Sequence, residues 1–182
     1  MRLLKVLWQC LFRWSVNAYE PNFAENSASL VLAFGKRKMG DVLSNIQLAN
    51  ICLGIKEKHP GHPLIVQQEI AAAIDALSYA LVIDRPSQGK DYLNTRDIVK
   101  QATDWCRQAG IVRINIVAHP AHQWRAYRLL TRQDYYQRID VVATAGLVGY
   151  DRQSSQWWTR RRLFWIMREI PCRCYYLFRG WI

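Results

Sequence analysis

The sequence predicts a three-layer α/β protein, Rossmann-like, with a mainly parallel sheet of about five strands. Three observations predict it. Short β-branched runs such as Ile114-Asn-Ile-Val-Ala118 are almost wholly apolar, as strands buried on both sheet faces are. Helical patterns separate these runs in strict alternation, which calls for parallel strands and right-handed crossovers. The length of 182 residues and an apolar fraction of 51% suit one domain, residues 1–182, with a substantial core.

Taken in order, Leu3, Leu4, Leu7, Trp8, Leu11 and Phe12 recur at helical spacing and predict an amphipathic helix over residues 2–14. Pro21-Asn22 and the polar run to Ser29 form a linker into a core of about residues 29–146. Leu30 to Phe34 is the first expected strand, ending at Gly35, and a basic loop leads from it into a helix over Val42 to Glu57. His59-Pro-Gly-His-Pro63 stops that helix. Leu64-Ile65-Val66 form the second strand, and Gln67-Gln-Glu69 open a helix that runs to Leu77. Tyr79 to Ile83 form the third strand. After a polar loop, helix resumes near Leu93-Asn94-Thr95 and ends at Ala109-Gly110, where glycine supplies the left-handed cap. The fourth strand runs into His119-Pro120. Proline suits the first helical turn, and Ala121 to Arg132 is helical. Ile139 to Ala143 form the fifth strand. Residues 155–178 are helical, with an interruption at Pro171.

The net charge of +11 belongs mostly to the two ends. Arg2, Lys5 and Arg13 give the first 14 residues +3, and seven arginines against Asp151 and Glu169 give residues 151–182 +5. Trp8, Trp14, Trp157, Trp158, Trp165 and Trp181 share these segments. Interleaved Arg and Trp read first as terminal helices that bury Trp on the sheet and solvate Arg160 to Arg162. A membrane-surface face and a nucleic-acid face are the other readings. The five cysteines form neither a zinc knuckle nor a paired framework, and reduced thiols in a cytoplasmic protein follow. Met1 to Trp14 lacks the apolar run of a signal peptide or a membrane span.

Parallel strands bring their carboxyl ends to one edge, where open α/β sheets bind ligands. Gly35 would let backbone approach a ligand there, and Lys36 would attract phosphate or carboxylate. Glu69, Asn94, Thr95 and Asp97 follow from the next two loops. Glu69 also suits a helix first turn, and Asn94 with Asp97 also suits a helix cap. His119, His122 and Arg125 converge near the start of the fourth helix, as an anion site or a proton-transfer site. In the structural alternative His119 caps that helix, His122 is solvated, and Arg125 is solvated or pairs with Glu69 or Asp97. A zinc reading of His119, His122 and Glu69 is weak. No Gly-x-Gly-x-x-Gly, Walker loop or Gly-x-Ser-x-Gly occurs, which removes the main signals of dinucleotide binding, nucleotide hydrolysis and serine esterases.

Four motifs in this order, Leu32-Ala-Phe-Gly35, Gln67-Gln-Glu69, Asn94-Thr-Arg-Asp97 and His119-Pro-Ala-His122-Gln-Trp-Arg125-Ala126, resemble the YdcF-like family, a domain of unknown function shared with SanA and ElyC. The resemblance implies a Rossmann-like sheet with a nucleotide-type pocket, S-adenosylmethionine as one ligand, and links to bacterial envelope integrity or polyprenyl-phosphate metabolism. It brings no settled reaction. The chain departs from the family pattern at Lys36 and Gln67-Gln68, where glycines are usual, at Ile98 in place of an amide, and at Asn45 in place of an arginine.

Two function classes follow. One is an enzyme or binding protein for a nucleotide-type or phosphate-bearing ligand. Lys36 and Arg125 would hold the anion, His119 or His122 would move a proton, and Glu69 would orient an imidazole or a ribose hydroxyl. The other is a non-catalytic envelope or membrane-surface factor whose basic aromatic ends contact anionic lipid.

Overall fold

Hydrogen-bonded in the order β3-β2-β1-β4-β5, five parallel strands form the sheet. They are β1 (Ser27–Leu32), β2 (Leu64–Gln67), β3 (Leu81–Ile83), β4 (Arg113–Ala118) and β5 (Arg138–Val141). The computed structural model describes Trp8, Val16, Ala18, Pro21 and residues 23–37, 40–74, 79–86 and 93–182. The helix expected over residues 2–14 lies outside the described residues except for Trp8. The helices are α1 (Leu43–Lys58), α2 (Gln68–Ala71), α3 (Thr95–Gln108), α4 (Pro120–Thr131) and α5 (Arg162–Phe178), with one 3₁₀ turn at Trp157–Thr159.

Alternation along the strands sorts the core into two layers. Val31, Val66 and Val117 face α1 and α2, packing on Leu48, Cys52, Ile55 and Ile70. Leu30, Leu32, Ile114 and Ile116 face the other way, onto Val99, Ala102, Trp124 and Leu129 of α3 and α4 and onto Tyr176 of α5. Helices therefore cover both faces, and the fold is the expected three-layer one. Each fully buried aliphatic side chain contributes about 1.5–3 kcal/mol through removal from water. The connection through α3 passes from the β3 edge to the far side of β1, so the winding reverses between β1 and β4. Leu32 pairs with Ala118, and the two central strands end together at that reversal.

Several boundaries differ from expectation for physical reasons. β1 begins at Ser27, inside the expected linker, and stops before Phe34. Its serines are polar yet buried: Ser27 donates to the Ala24 carbonyl, and Ser29 bonds the ring of His62 at 2.9 Å. α2 has four residues where a helix to Leu77 was expected, and residues 75–78 lie outside the description. β3 is a three-residue edge strand. α5 runs unbroken through Pro171, which sits on the exposed side, so only the Met167 carbonyl loses an amide partner there. The expected division of labour at the C-terminus holds for Arg160 to Arg162 and for Trp165 but not for the other tryptophans. Arg160 to Arg162 are exposed, but Trp157 is exposed too and Trp158 and Trp181 are only half-buried, while α5 buries Glu169 and Arg173 beside Trp165.

Candidate functional site

The carboxyl ends of β1 and β4 meet at the reversal of winding, where a doubly wound sheet opens its crevice. Backbone groups released as β1 ends are taken up by amide side chains. The Ala33 N–H donates to Gln67 Oε1 and the Phe34 N–H to Asn45 Oδ1, both at 2.8 Å. Gly35 then adopts φ +96°, which admits few residues besides glycine. A Cβ there would lie 2.9 Å from Thr159 Oγ1 and 3.0 Å from Ser154 Oγ. The close approach expected for a ligand is thus made by the chain's own C-terminal segment. The Lys36 carbonyl accepts from the Ser155 N–H at 2.6 Å and from the hydroxyls of Ser154 and Ser155 at 3.0 and 2.8 Å. Asp151 anchors this segment through Arg37 at 2.8 Å and the backbone N–H groups of Leu43 and Gln153. Burial pushes its carboxyl up, but the Arg37 hydrogen bond and the two N–H groups outweigh that and hold it below the usual carboxylate value.

A cavity of about 230 Å³ opens at this edge, with Gly35, Lys36, Glu69, Thr95, His122 and Arg125 among its walls. The structure therefore brings together six of the nine residues singled out from sequence. Lys36 Nζ lies 2.6 Å from Glu69 Oε1, so these two neutralise each other, and Glu69 is held by a lysine in place of an imidazole. A second cavity of about 430 Å³ adjoins the first and shares Thr95, Arg125, Trp158 and Trp165 with it.

Arg125 stands between the two cavities in a buried charge cluster. Its Nη1 is 3.4 Å from Glu169 Oε2, within ion-pair reach but without hydrogen-bond geometry. Glu169 Oε1 accepts from Arg173 Nε at 3.0 Å. The side chains of Arg125, Glu169 and Arg173 are 9%, 1% and 0% exposed. Two buried guanidiniums share one buried carboxylate, and the Arg125 Nε–H has no acceptor among the described residues. Aromatic faces compensate in part: Arg173 lies 4.2 Å above Trp124, and Arg125 lies 5.8 and 5.6 Å from Trp165 and Tyr176. The partner of Arg125 is thus Glu169, and neither Glu69 nor Asp97.

The histidines are less suited to proton transfer than their spacing implies. His119 is the N-cap of α4: its Nδ1 accepts from the Ala121 N–H at 3.2 Å, which leaves the ring hydrogen on the buried Nε2. Its ring stacks on Phe34 at 3.8 Å and 9°, and the edge of Tyr150 closes over it. Burial lowers its pKa to about 3. It lines neither cavity above, but a separate one of about 260 Å³ under Tyr150. His122 does reach the first cavity, with Nε2 3.4 Å from Thr95 Oγ1. Burial, then Arg125, His119 and Arg173, push its pKa well below the usual value. Burial thus disfavours the imidazolium form of both rings, which makes them poor proton donors.

Asn94 and Asp97 form the α3 cap. Asn94 Oδ1 accepts from the Asp97 N–H at 3.1 Å, and Asn94 Nδ2 donates to Asp97 Oδ2 at 2.8 Å. Asn94 lines the second cavity, and Asp97 lines neither. Sequence reasoning missed Asp84, Gln156, Trp158, Thr159 and Trp165 as cavity walls, and missed the Glu169 and Arg173 cluster. The one available signal was Glu169-x-x-x-Arg173, an i, i+4 pair holding the only acid of α5. Among the described residues no group of three or more His, Cys, Asp or Glu side chains converges as a metal ion requires. No protein-family model matches the chain, and no curated protein or solved structure matches it either.

Proposed function

We propose that the chain binds a small ligand bearing a phosphate or carboxylate at the carboxyl edge of the sheet, with Arg125 as its main charge partner. The observation that carries this reading is Arg125 itself, a nearly buried guanidinium in the wall of both cavities. Its Nε–H has no acceptor among the described residues, and Glu169 meets the guanidinium at 3.4 Å without hydrogen-bond geometry, so an anion in either cavity would complete its contacts. A guanidinium also offers two oxygens a fork of parallel donors. Lys36 would contribute by exchanging Glu69 for the ligand.

The first cavity is smaller than the roughly 300–1,000 Å³ usual for drug-sized ligands. It accommodates the anionic group, and a nucleotide-type ligand such as S-adenosylmethionine would have to extend past Arg125 into the second. Membership of the YdcF-like family remains part of the proposal. The positions that depart from its pattern bond within the chain: Gln67 to Ala33, Asn45 to Phe34, Lys36 to Glu69. Such a rim favours the small anion. With both histidines poor proton donors, the reading is of binding, with no acid–base step assigned.

Thermal melts with inorganic phosphate, AMP and S-adenosylmethionine test it. At least one should raise the melting temperature of the wild type, and Arg125→Lys should lose about 10- to 100-fold in affinity, the scale of a charge-assisted hydrogen bond. Equal stabilisation of wild type and Arg125→Lys by every probe, or none of either, would overturn the reading.

A further inference from the structure

The outer face of α5 is apolar from end to end. Leu163, Met167, Tyr175 and Phe178 are 64%, 58%, 52% and 90% exposed, and exposed Pro171 continues the line. At about 100° per residue these five positions fall within an arc of about 120°, and Phe164 and Cys174 are the other residues inside it. No charged residue enters that arc. The inner face of α5 buries Glu169 and Arg173 beside Trp165 and Tyr176, and the exposed stripe is a second apolar face. Arginines frame the stripe: Arg160, Arg161 and Arg162 precede it, Arg168 borders it, and Arg179 follows it. Three cations at a helix N-terminus oppose the helix dipole; Arg160 Nε donates to the Ser154 carbonyl at 2.7 Å, and Arg161 and Arg162 are exposed.

We infer that this face is a docking surface for an anionic lipid bilayer, with α5 lying in the interfacial plane. The stripe would enter the headgroup–acyl boundary while the framing arginines meet lipid phosphates. Charge decides among the occupants. A second copy of this chain would bring the same arginines against themselves, and residues 1–14 carry +3 without an acid. A convex single-helix face with side chains of mixed size suits the soft boundary of a bilayer better than the matched groove of an acidic protein. Among the described residues no helix is long and apolar enough to cross a membrane, so the contact is peripheral. The surface lies on the C-terminal segment whose basic aromatic composition the sequence singled out, but its stripe contains no tryptophan, and only Pro171 and Tyr175 of it reach the cavity at Arg125.

Flotation of the full chain with phosphatidylcholine vesicles, with and without phosphatidylglycerol, provides the test. Binding should require the anionic lipid and weaken with salt. Met167→Glu and Phe178→Glu should each reduce it at least tenfold at an unchanged melting temperature. Arg161→Ala should reduce it about fivefold, near 1 kcal/mol per surface-bound cation. Arg125→Lys should float like the wild type whether or not it binds phosphate. Absence from anionic vesicles, or binding indifferent to Met167→Glu, would overturn the inference. So would a lowered melting temperature in Met167→Glu, which would mean that another part of the chain covers the stripe. A dimer that Met167→Glu dissolves, or an acidic protein that competes vesicles off completely, would assign the face to a protein instead.

Discussion

Glu169→Gln removes one charge from the buried cluster and almost no volume. In the wild type the two Glu169 oxygens face Arg173 Nε at 3.0 Å and Arg125 Nη1 at 3.4 Å, with Glu169 and Arg173 out of water and Arg125 nearly so at the cavity wall. Glutamine can still accept from Arg173 through its carbonyl, but its amide nitrogen presents a donor to the other guanidinium. Two guanidiniums then share a neutral amide, with no carboxylate between them among the described residues. Breaking a buried pair by neutralising one partner costs about 3–5 kcal/mol. For a chain of this length, about 2–4 °C per kcal/mol turns that into a fall in melting temperature of about 6–20 °C. Urea unfolding followed by circular dichroism measures the same loss as a shift in midpoint. The proposed ligand site adds a second readout. If phosphate seats on Arg125, it should stabilise Glu169→Gln more than the wild type, because it then replaces the lost anion. A loss under about 0.5 kcal/mol, the scatter of a bland surface change, would refute the picture of a desolvated cluster.

Two further outcomes follow from the same geometry. The buried rings of His62, His119 and His122 are held neutral, His62 at about 4 by burial and then by His59 and Lys56, His119 at about 3, and His122 well below the usual value. The unfolded chain protonates them near 6.5, so stability is full above that pH and falls as pH drops from about 6.5 toward 4, by up to about 1.4 kcal/mol per histidine per pH unit. Urea midpoints between pH 7.5 and 5 should show it, with His62→Gln removing about a third of the slope, and a flat profile would contradict the burial of these rings. Gly35→Ala should cost about 2–5 kcal/mol, from left-handed strain and from crowding against Thr159 and Ser154. Wild-type stability in that variant would show that the C-terminal segment does not bear on the loop.

The layered sheet was legible because burial on both faces leaves its mark on strands such as Ile114 to Ala118, and because Asn94 and His119-Pro120 are strong local helix starts. β1 was misplaced because Ser27 and Ser29 look solvated until His62 and the Ala24 carbonyl are known as their partners. Gly35, Lys36, Glu69, Thr95, His122 and Arg125 share one cavity because parallel strands end on one edge, which topology alone implies. The state of charge at that edge was illegible. Lys36 meets Glu69 across two loops, and Arg125 meets a carboxylate 44 positions along the chain. Pairings that distant leave no local pattern, and an Arg-rich terminal helix reads as a wet face until Glu169 is seen inside it.

The clasp between Lys36 and Ser154 joins residues 118 apart. During synthesis β1 and its glycine turn emerge from the ribosome early, but the hydroxyls that close over them come more than a hundred residues later. At about 5–20 residues per second, that turn waits several seconds for its lid. A nascent chain arrested before residue 154 would hold a partly built sheet with its carboxyl edge unroofed. Closure of this edge is therefore a late event in synthesis, and a stop at residue 153 would remove the lid, with Glu169, while sparing every strand.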